Sequence, residues 1–214
     1  TDKGGYPNLV ANTSGYAWVT VQGPNSLLTI KDSQYQLAYC GSVEGSDTHA
    51  IYNLNDEGVF ELKSLRVYRV TYASTYPLIL NFNGGMMRMC GSASPFCADT
   101  NFHLPKVVVY EKGIQIDTAG FDASNNGGQI EAEKEGGIQS IVLPEPLPGY
   151  PAIPHVAIDG DGEGASAIAL VDSATYTVTN ILLTSHGWGY TAANTTVSLR
   201  YVCTGRGWIR TLYT

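Results

Sequence analysis

Apolar and polar residues alternate along most of the chain. No stretch longer than ten residues keeps apolar side chains at i, i+3 and i+4 without a Gly or Pro. A period of two puts successive side chains on opposite faces of an extended strand, so one face can be buried while the other meets water. Tyr16 to Val21, Ser26 to Lys31, Gln34 to Cys40 and Leu65 to Tyr72 all read as strands of this kind. In the last of them, Tyr68, Val70 and Tyr72 share one face while Leu65, Val67 and Arg69 share the other. At most, Asn55 to Leu65 holds a short helix. Turn residues punctuate the runs about every 8–12 residues, the rhythm of sandwiches and barrels. The sequence therefore predicts an all-β fold, an antiparallel β-sandwich of jelly-roll type.

Two hairpins are expected within it. Leu78 to Phe82 and Met86 to Cys90 flank Asn83-Gly84-Gly85, and Asn-Gly supplies the positive φ of a tight turn. Lys106 to Tyr110 and Ile114 to Asp117 flank Glu111-Lys112-Gly113. Asn125 to Gly137, with Glu131, Glu133 and Glu135, reads as an exposed acidic loop or an edge strand whose carboxylates discourage edge-to-edge pairing.

Five of the ten prolines, Pro144, Pro146, Pro148, Pro151 and Pro154, crowd into eleven residues. Proline has no ladder donor, so this stretch is not a central strand. It is read as a linker over 144–154, between a β-sandwich domain at 1–143 and a smaller β domain at 155–214, with a rigid crossover within one domain as the competing reading.

Composition excludes several functions. The net charge is −7 and no Lys/Arg cluster occurs, which argues against a nucleic-acid surface. No apolar run approaches the roughly 20 residues of a transmembrane helix. Charged residues make up only 14%, against a usual ~25%, which argues against a solvent-exposed coiled coil. There is no P-loop, dinucleotide fingerprint or G-x-S-x-G elbow. His49, His103, His155 and His186 have no second His or Cys at metal-ligand spacing, and no catalytic residue is assigned.

Three groups remain as candidate sites. Asp159, Asp161 and Glu163 alternate with Gly160, Gly162 and Gly164, like the first half of a calcium loop. Leu170 stands where such a loop places its bidentate Glu, which leaves a weak calcium candidate or a solvated turn, and no other cofactor is implied. Cys90 and Cys97 flank a six-residue loop, either as buried thiols or as a disulfide worth about 2–3 kcal/mol. Trp18, Trp188, Tyr190 and Trp208 are candidates for an interface or for stacking against glycans, core packing being the competing explanation.

In the last third, Val156-Ala157-Ile158 leads into the Gly/Asp turn 159–164 and the small alternating run Ala165-Ser166-Ala167-Ile168-Ala169. Tyr176-Thr177-Val178-Thr179-Asn180 follows, then Gly187-Trp188-Gly189-Tyr190-Thr191 and Thr195-Thr196-Val197-Ser198-Leu199. This order over about 45 residues resembles a short β-rich module of bacteriophage tail, fibre and other structural proteins. It is present once, and the join Ile181 to His186 is longer than usual for the module. Gly187 and Gly189 are expected to form a tight loop with Tyr190 tucked inward. The resemblance implies a non-enzymatic virion structural protein: a capsid decoration, cement or head-fibre protein, or a tail component. Such a part sits on the virion surface and forms homo-oligomers bound to capsid or tail proteins, with no nucleic-acid or membrane partner. The alternative is a carbohydrate- or receptor-binding module of a fibre or an extracellular protein; a hydrolase of surface glycans is a third reading.

Overall fold

The computed structural model describes residues 15–30, 35–40, 48–62, 65–69, 78–91, 93–97, 102–103, 106–126, 130–200 and 209–212. Among them there are strands and turns but no helix. The chain divides into two compact units, Thr1–Glu133 and Lys134–Thr214.

The first unit holds β1 (Gly15–Gln22), β2 (Leu27–Ile30), β3 (Tyr35–Cys40), β4 (Thr48–Asn55), β5 (Val59–Leu62), β6 (Leu65–Arg69) and β7 (Leu78–Asn83). Then come β8 (Gly85–Met89), β9 (Ala93–Cys97), β10 (Phe102–His103), β11 (Lys106–Val109), β12 (Ile114–Asp117), β13 (Ala123–Asn126) and β14 (Ile130–Ala132). One sheet runs β1-β4-β7-β11-β14, a second β2-β5-β8-β12, and the third contains β3, β6, β9 and β13. The pairings along these series are parallel; only the two-residue β10 runs antiparallel, beside β6. Apart from β9 and the short β10, consecutive strands thus lie in different sheets, and the strands of each series pair one coil apart. The arrangement is a three-faced parallel β-solenoid, with neighbouring coils as its unit of packing.

This replaces the antiparallel sandwich expected for this part of the chain, and with it both hairpins. β7 and β8 are consecutive but do not pair, and Gly84 (φ 83°) forms the corner between two faces. β11 and β12 are likewise joined through a corner, closed by Gly113 N–H donating to the Tyr110 carbonyl at 2.9 Å. A period of two is the same for a strand paired with its sequence neighbour and one paired a full coil away. In Asn55 to Leu65, the stretch read as a short helix, the described residues form the end of β4, a corner, β5 and the first residue of β6.

The interior is one column per position. Val19, Tyr52, Leu80 and Val107 stand in register, as do Leu28, Phe60 and Met87. Tyr52, Leu54, Phe60, Leu62, Leu80, Phe82, Met87 and Val107 form the core, with the Tyr52 and Phe60 rings stacked at 5.7 Å. The corners stack too. Asp56 N–H donates to Asn83 O at 3.0 Å, Glu57 N–H to Gly84 O at 2.8 Å, and Gly84 N–H to Gly113 O at 2.8 Å. The Lys112 ammonium pairs with Asp56 across the same stack.

The second unit is a six-stranded sheet in the order β15-β18-β17-β16-β19-β20, with antiparallel pairing throughout. Its strands are β15 (Leu147–Pro148), β16 (His155–Asp159), β17 (Glu163–Asp172), β18 (Thr177–Trp188), β19 (Thr196–Arg200) and β20 (Ile209–Leu212). The Pro-rich stretch belongs to this unit and is not a linker. Leu147 and Pro148 pair with Val178 and Thr177, and Tyr150 N–H donates to Tyr176 O at 2.8 Å. Ile141 and Tyr150 are buried in the same core as Val156, Ala167, Ala169, Val178, Ile181, Val197 and Leu199. An edge strand is where a sheet tolerates proline.

Candidate functional site

The two glycine-rich turns of the resemblance, 159–164 and 187–191, meet at one end of the β16–β17–β18 sheet, while Thr177 to Asn180 pair with Leu170 to Asp172 at the other. Glu163, the first residue of β17, pairs with Trp188, the last of β18. Ala165 opposes His186, so Gly162 and Gly164 come against the Gly187-Trp188-Gly189-Tyr190 turn. Four glycines make the closeness possible. A Cβ at Gly162 would overlap the Tyr190 ring and lie 2.6 Å from the Trp188 carbonyl oxygen. One at Gly164 (φ 79°) would overlap the Trp188 ring, and one at Gly187 (φ 63°) would stand 2.7 Å from Tyr190 Cε2. Gly189 has φ 73°, a backbone state that L side chains rarely adopt. Tyr190 is tucked inward as expected, and its hydroxyl accepts the Ala165 N–H at 3.3 Å. Residues 135–138 clasp the same turn. Gly189 N–H donates to Glu135 O at 3.0 Å and Tyr190 N–H to Gly136 O at 2.8 Å. Ile138 N–H donates to His186 O at 2.9 Å, and His186 Nδ1 contacts the Ile138 carbonyl at 2.6 Å.

The three carboxylates of the calcium candidate do not converge, because each is held by its own surroundings. Asp159, at the end of β16, pairs with the Arg200 guanidinium on β19. Asp161 caps the turn after Tyr190. It accepts the Thr191 N–H at 2.9 Å, the Thr191 hydroxyl at 2.6 Å and Asn194 Nδ2 at 3.1 Å. Those bonds, the Thr191 hydroxyl first, pull its pKa down to about 2. Glu163 is half-buried where β17 begins. Among the described residues no three His, Cys, Asp or Glu are grouped to hold a metal ion.

The aromatic candidates are likewise separated. Trp188 is only 8% exposed and packs against Gly164, which is core packing and no stacking platform. Tyr190 is half-buried, Trp18 is half-buried on β1 of the first unit, and Trp208 lies outside the described residues. Cys90, just after β8, carries a half-buried thiol. The side chain of its expected partner Cys97 lies outside the described residues. His155 on β16 faces Arg200 on β19; burial, then the Arg200 charge, lowers its pKa to about 4.

A polar row on the first unit is absent from the sequence-based expectations. Thr20, Asn53 and Asn81 are in register on β1, β4 and β7. Asn53 Nδ2 donates to Thr20 Oγ1 and Asn81 Nδ2 to Asn53 Oδ1, each at 3.0 Å. Both asparagines are buried, as is Lys106, whose Nζ lies 3.9 Å from Glu131 Oε2. The signal for the row was a repeat. Val19-Thr20-Val21, Tyr52-Asn53-Leu54, Leu80-Asn81-Phe82 and Val107-Val108-Val109 recur at spacings of 33, 28 and 27 residues, in the range of solenoid repeats.

No protein-family model, curated protein or solved structure matches the chain.

Proposed function

We propose that this chain is a non-enzymatic structural protein of a bacteriophage virion, a capsid-decoration, head-fibre or tail component at the particle surface. It acts by self-association and by binding capsid or tail proteins. One observation carries the reading: the two glycine-rich turns of the phage-module resemblance, 159–164 and 187–191, interlock as one element. In it Gly162, Gly164 and Gly187 receive the Tyr190 and Trp188 rings, and Asp161 caps the following turn. That order of residues thus has a physical role as a unit, which supports reading it as a module. The parallel coils of the first unit suit the same role. Each coil buries its side chains on the next, so stability comes from repeated neighbour contacts.

Light scattering of the full chain, together with mass spectrometry of purified particles of the phage that encodes it, tests the proposal. The expected result is a homo-oligomer, with the chain present in washed particles at stoichiometric copy number. A monomer at all concentrations, absent from the particles, overturns it. Binding on a glycan array by a monomeric chain would favour the carbohydrate-binding alternative.

A further inference from the structure

The apolar interior of the first unit is open at one end. Among the described residues, β12 and β14 each end their sheets. Ile116 of β12 pairs with Met87, and Ile130 of β14 with Val107, so the two continue interior columns that are fully buried one coil earlier. Yet Ile116 is 44% exposed and Ile130 47%. The first coil is more closed: Leu28 and Val19, at the other end of the same columns, are half-buried. A solenoid whose last coil shows its interior calls for a cap, and a strand edge beside exposed apolar side chains is a template for another strand.

That end has a step. The first sheet carries a fifth strand, β14, where the second stops at its fourth, β12. A head-to-tail stack does not fit the step. β1 lies in the same sheet as β14, so it would fall beyond β14 and leave β12 one strand short of the next copy's β2. A two-fold turn that sets the first sheet of one copy onto the second sheet of the other does fit, because each projecting β14 fills the place beyond the other's β12. We propose that this open end is an interface between two copies of the chain, in which β14 of each pairs antiparallel with β12 of the other. The inference rests on the self-association proposed above and gives it a surface. With Ile130 opposite the partner's Ile116, Glu131 stands opposite the partner's Gln115 and Ala132 opposite the partner's Ile114. Inward residues then meet inward residues, both exposed isoleucines are covered, and no carboxylate faces another. Pairing β14 with its own copy would keep Ile130 against the partner's Ala132 but set Glu131 against the partner's Glu131, like charges directly opposite. The charge therefore selects β12. The third sheet, without a fifth strand among the described residues, makes no ladder across the axis. Such an interface uses the same surface of both copies and closes at two.

Analytical ultracentrifugation of the full chain reads the state, and Ile116→Lys and Ile130→Lys read the surface. Both side chains are exposed, so the fold should tolerate either change, with circular dichroism as the check. The wild type is expected to dimerise, and each variant to raise the dissociation constant by about 30-fold or more, the loss typical of a central contact. Mixing Ile116→Cys chains with Ile130→Cys chains under mild oxidation should give a disulfide between the two positions, identified by mass spectrometry of the linked peptides. An oligomer that ignores both lysines and never yields that link overturns this surface and leaves self-association to another one. A wild-type monomer at all concentrations overturns it as well. The proposed function then stands only where the chain is found in washed particles, and incorporation lost in Ile116→Lys would assign the open end to a particle protein instead of a second copy.

Discussion

A Cβ at Gly162 would overlap the Tyr190 ring and crowd the Trp188 carbonyl. Both belong to a turn clasped by residues 135–138, so neither can retreat cheaply. Gly162→Ala is expected to destabilise the second unit by about 2–3 kcal/mol in urea unfolding, the range for overpacking a closed site. Tyr190→Phe keeps the ring and removes only the acceptor for the Ala165 N–H, so about 1 kcal/mol is expected. Equal effects of the two changes would mean that the hydroxyl, not the ring seat, holds the turn. At the β4–β5 corner, Asp56 (φ 47°) and Glu57 (φ 67°) both sit in the left-handed region. Glu57 is exposed, and Glu57→Gly should raise stability by about 0.5–1 kcal/mol, read as a higher urea midpoint at unchanged slope. The inward Tyr190 was legible in the sequence, because Gly187 and Gly189 just before it permit a loop tight enough to turn the ring in. The separate fates of Asp159 and Asp161 were not, since their partners Arg200 and Thr191 lie 41 and 30 residues away.

At the scale of elements, strand positions were legible and strand partners were not. Leu78 to Asn83, Gly85 to Met89, Lys106 to Val109 and Ile114 to Asp117 are strands, as their alternation requires. Whether a strand folds back on its neighbour or turns onto a new face is decided at the corner. Asn-Gly favours a hairpin locally, yet Gly85 is placed by tertiary contact. A Cβ there would overlap the Leu54 backbone and side chain of the previous coil, and Gly58 meets Val21 in the same way one coil earlier. Those two glycines, 27 residues apart, mark the spots where each coil passes close over the last. In a two-residue hairpin loop Gly85→Ala would be nearly silent. In the coil it should cost about 2 kcal/mol or more and lower the urea midpoint of the first unit. Of the two readings of the acidic segment, exposed loop or edge strand, the second fits Ile130–Ala132: among the described residues β14 ends its sheet, and Glu131 and Glu133 flank its last residue. The prolines misled because they mark both linkers and edge strands. The pairing of Leu147 and Pro148 with β18 and the burial of Ile141 and Tyr150 around them separate the two cases.

For the molecule as a whole, charge and protonation set the conditions under which it holds together. The chain carries −7 at pH 7 and has a sequence pI near 4.9, so acidification toward that value removes the repulsion between copies. Folding stability moves the other way. The folded chain keeps His155 neutral down to about pH 4, whereas an unfolded histidine protonates near 6.5. The unfolded state therefore binds the extra proton throughout that window, and stability falls as pH drops from 6.5 to 4. The cause is burial, reinforced by Arg200, which stands opposite His155 while also pairing with Asp159 at the far end of β16. His155 is half-buried, so after solvent screening the loss is about 1–2 kcal/mol, less than the full shift would give. Asp161 contributes in a separate and lower window. Its lowered pKa preserves stability above the ordinary carboxylate value of 3.8 and loses it as pH falls toward about 2. Urea unfolding at a series of pH values should thus show two declines, one between 6.5 and 4 and one below 3.8. His155→Gln should flatten the upper decline and leave the lower one. Asp161→Asn, which keeps one acceptor for Thr191 but cannot ionise, should shrink the lower decline, which Asp172, Asp117 and Asp56 share, and leave the upper one. An upper decline that persists in His155→Gln would place the titrating group elsewhere and remove His155 and Arg200 as its cause. Between pH 6.5 and 5, then, the second unit is expected to weaken while the net negative charge shrinks, and the range of highest folding stability lies above that window.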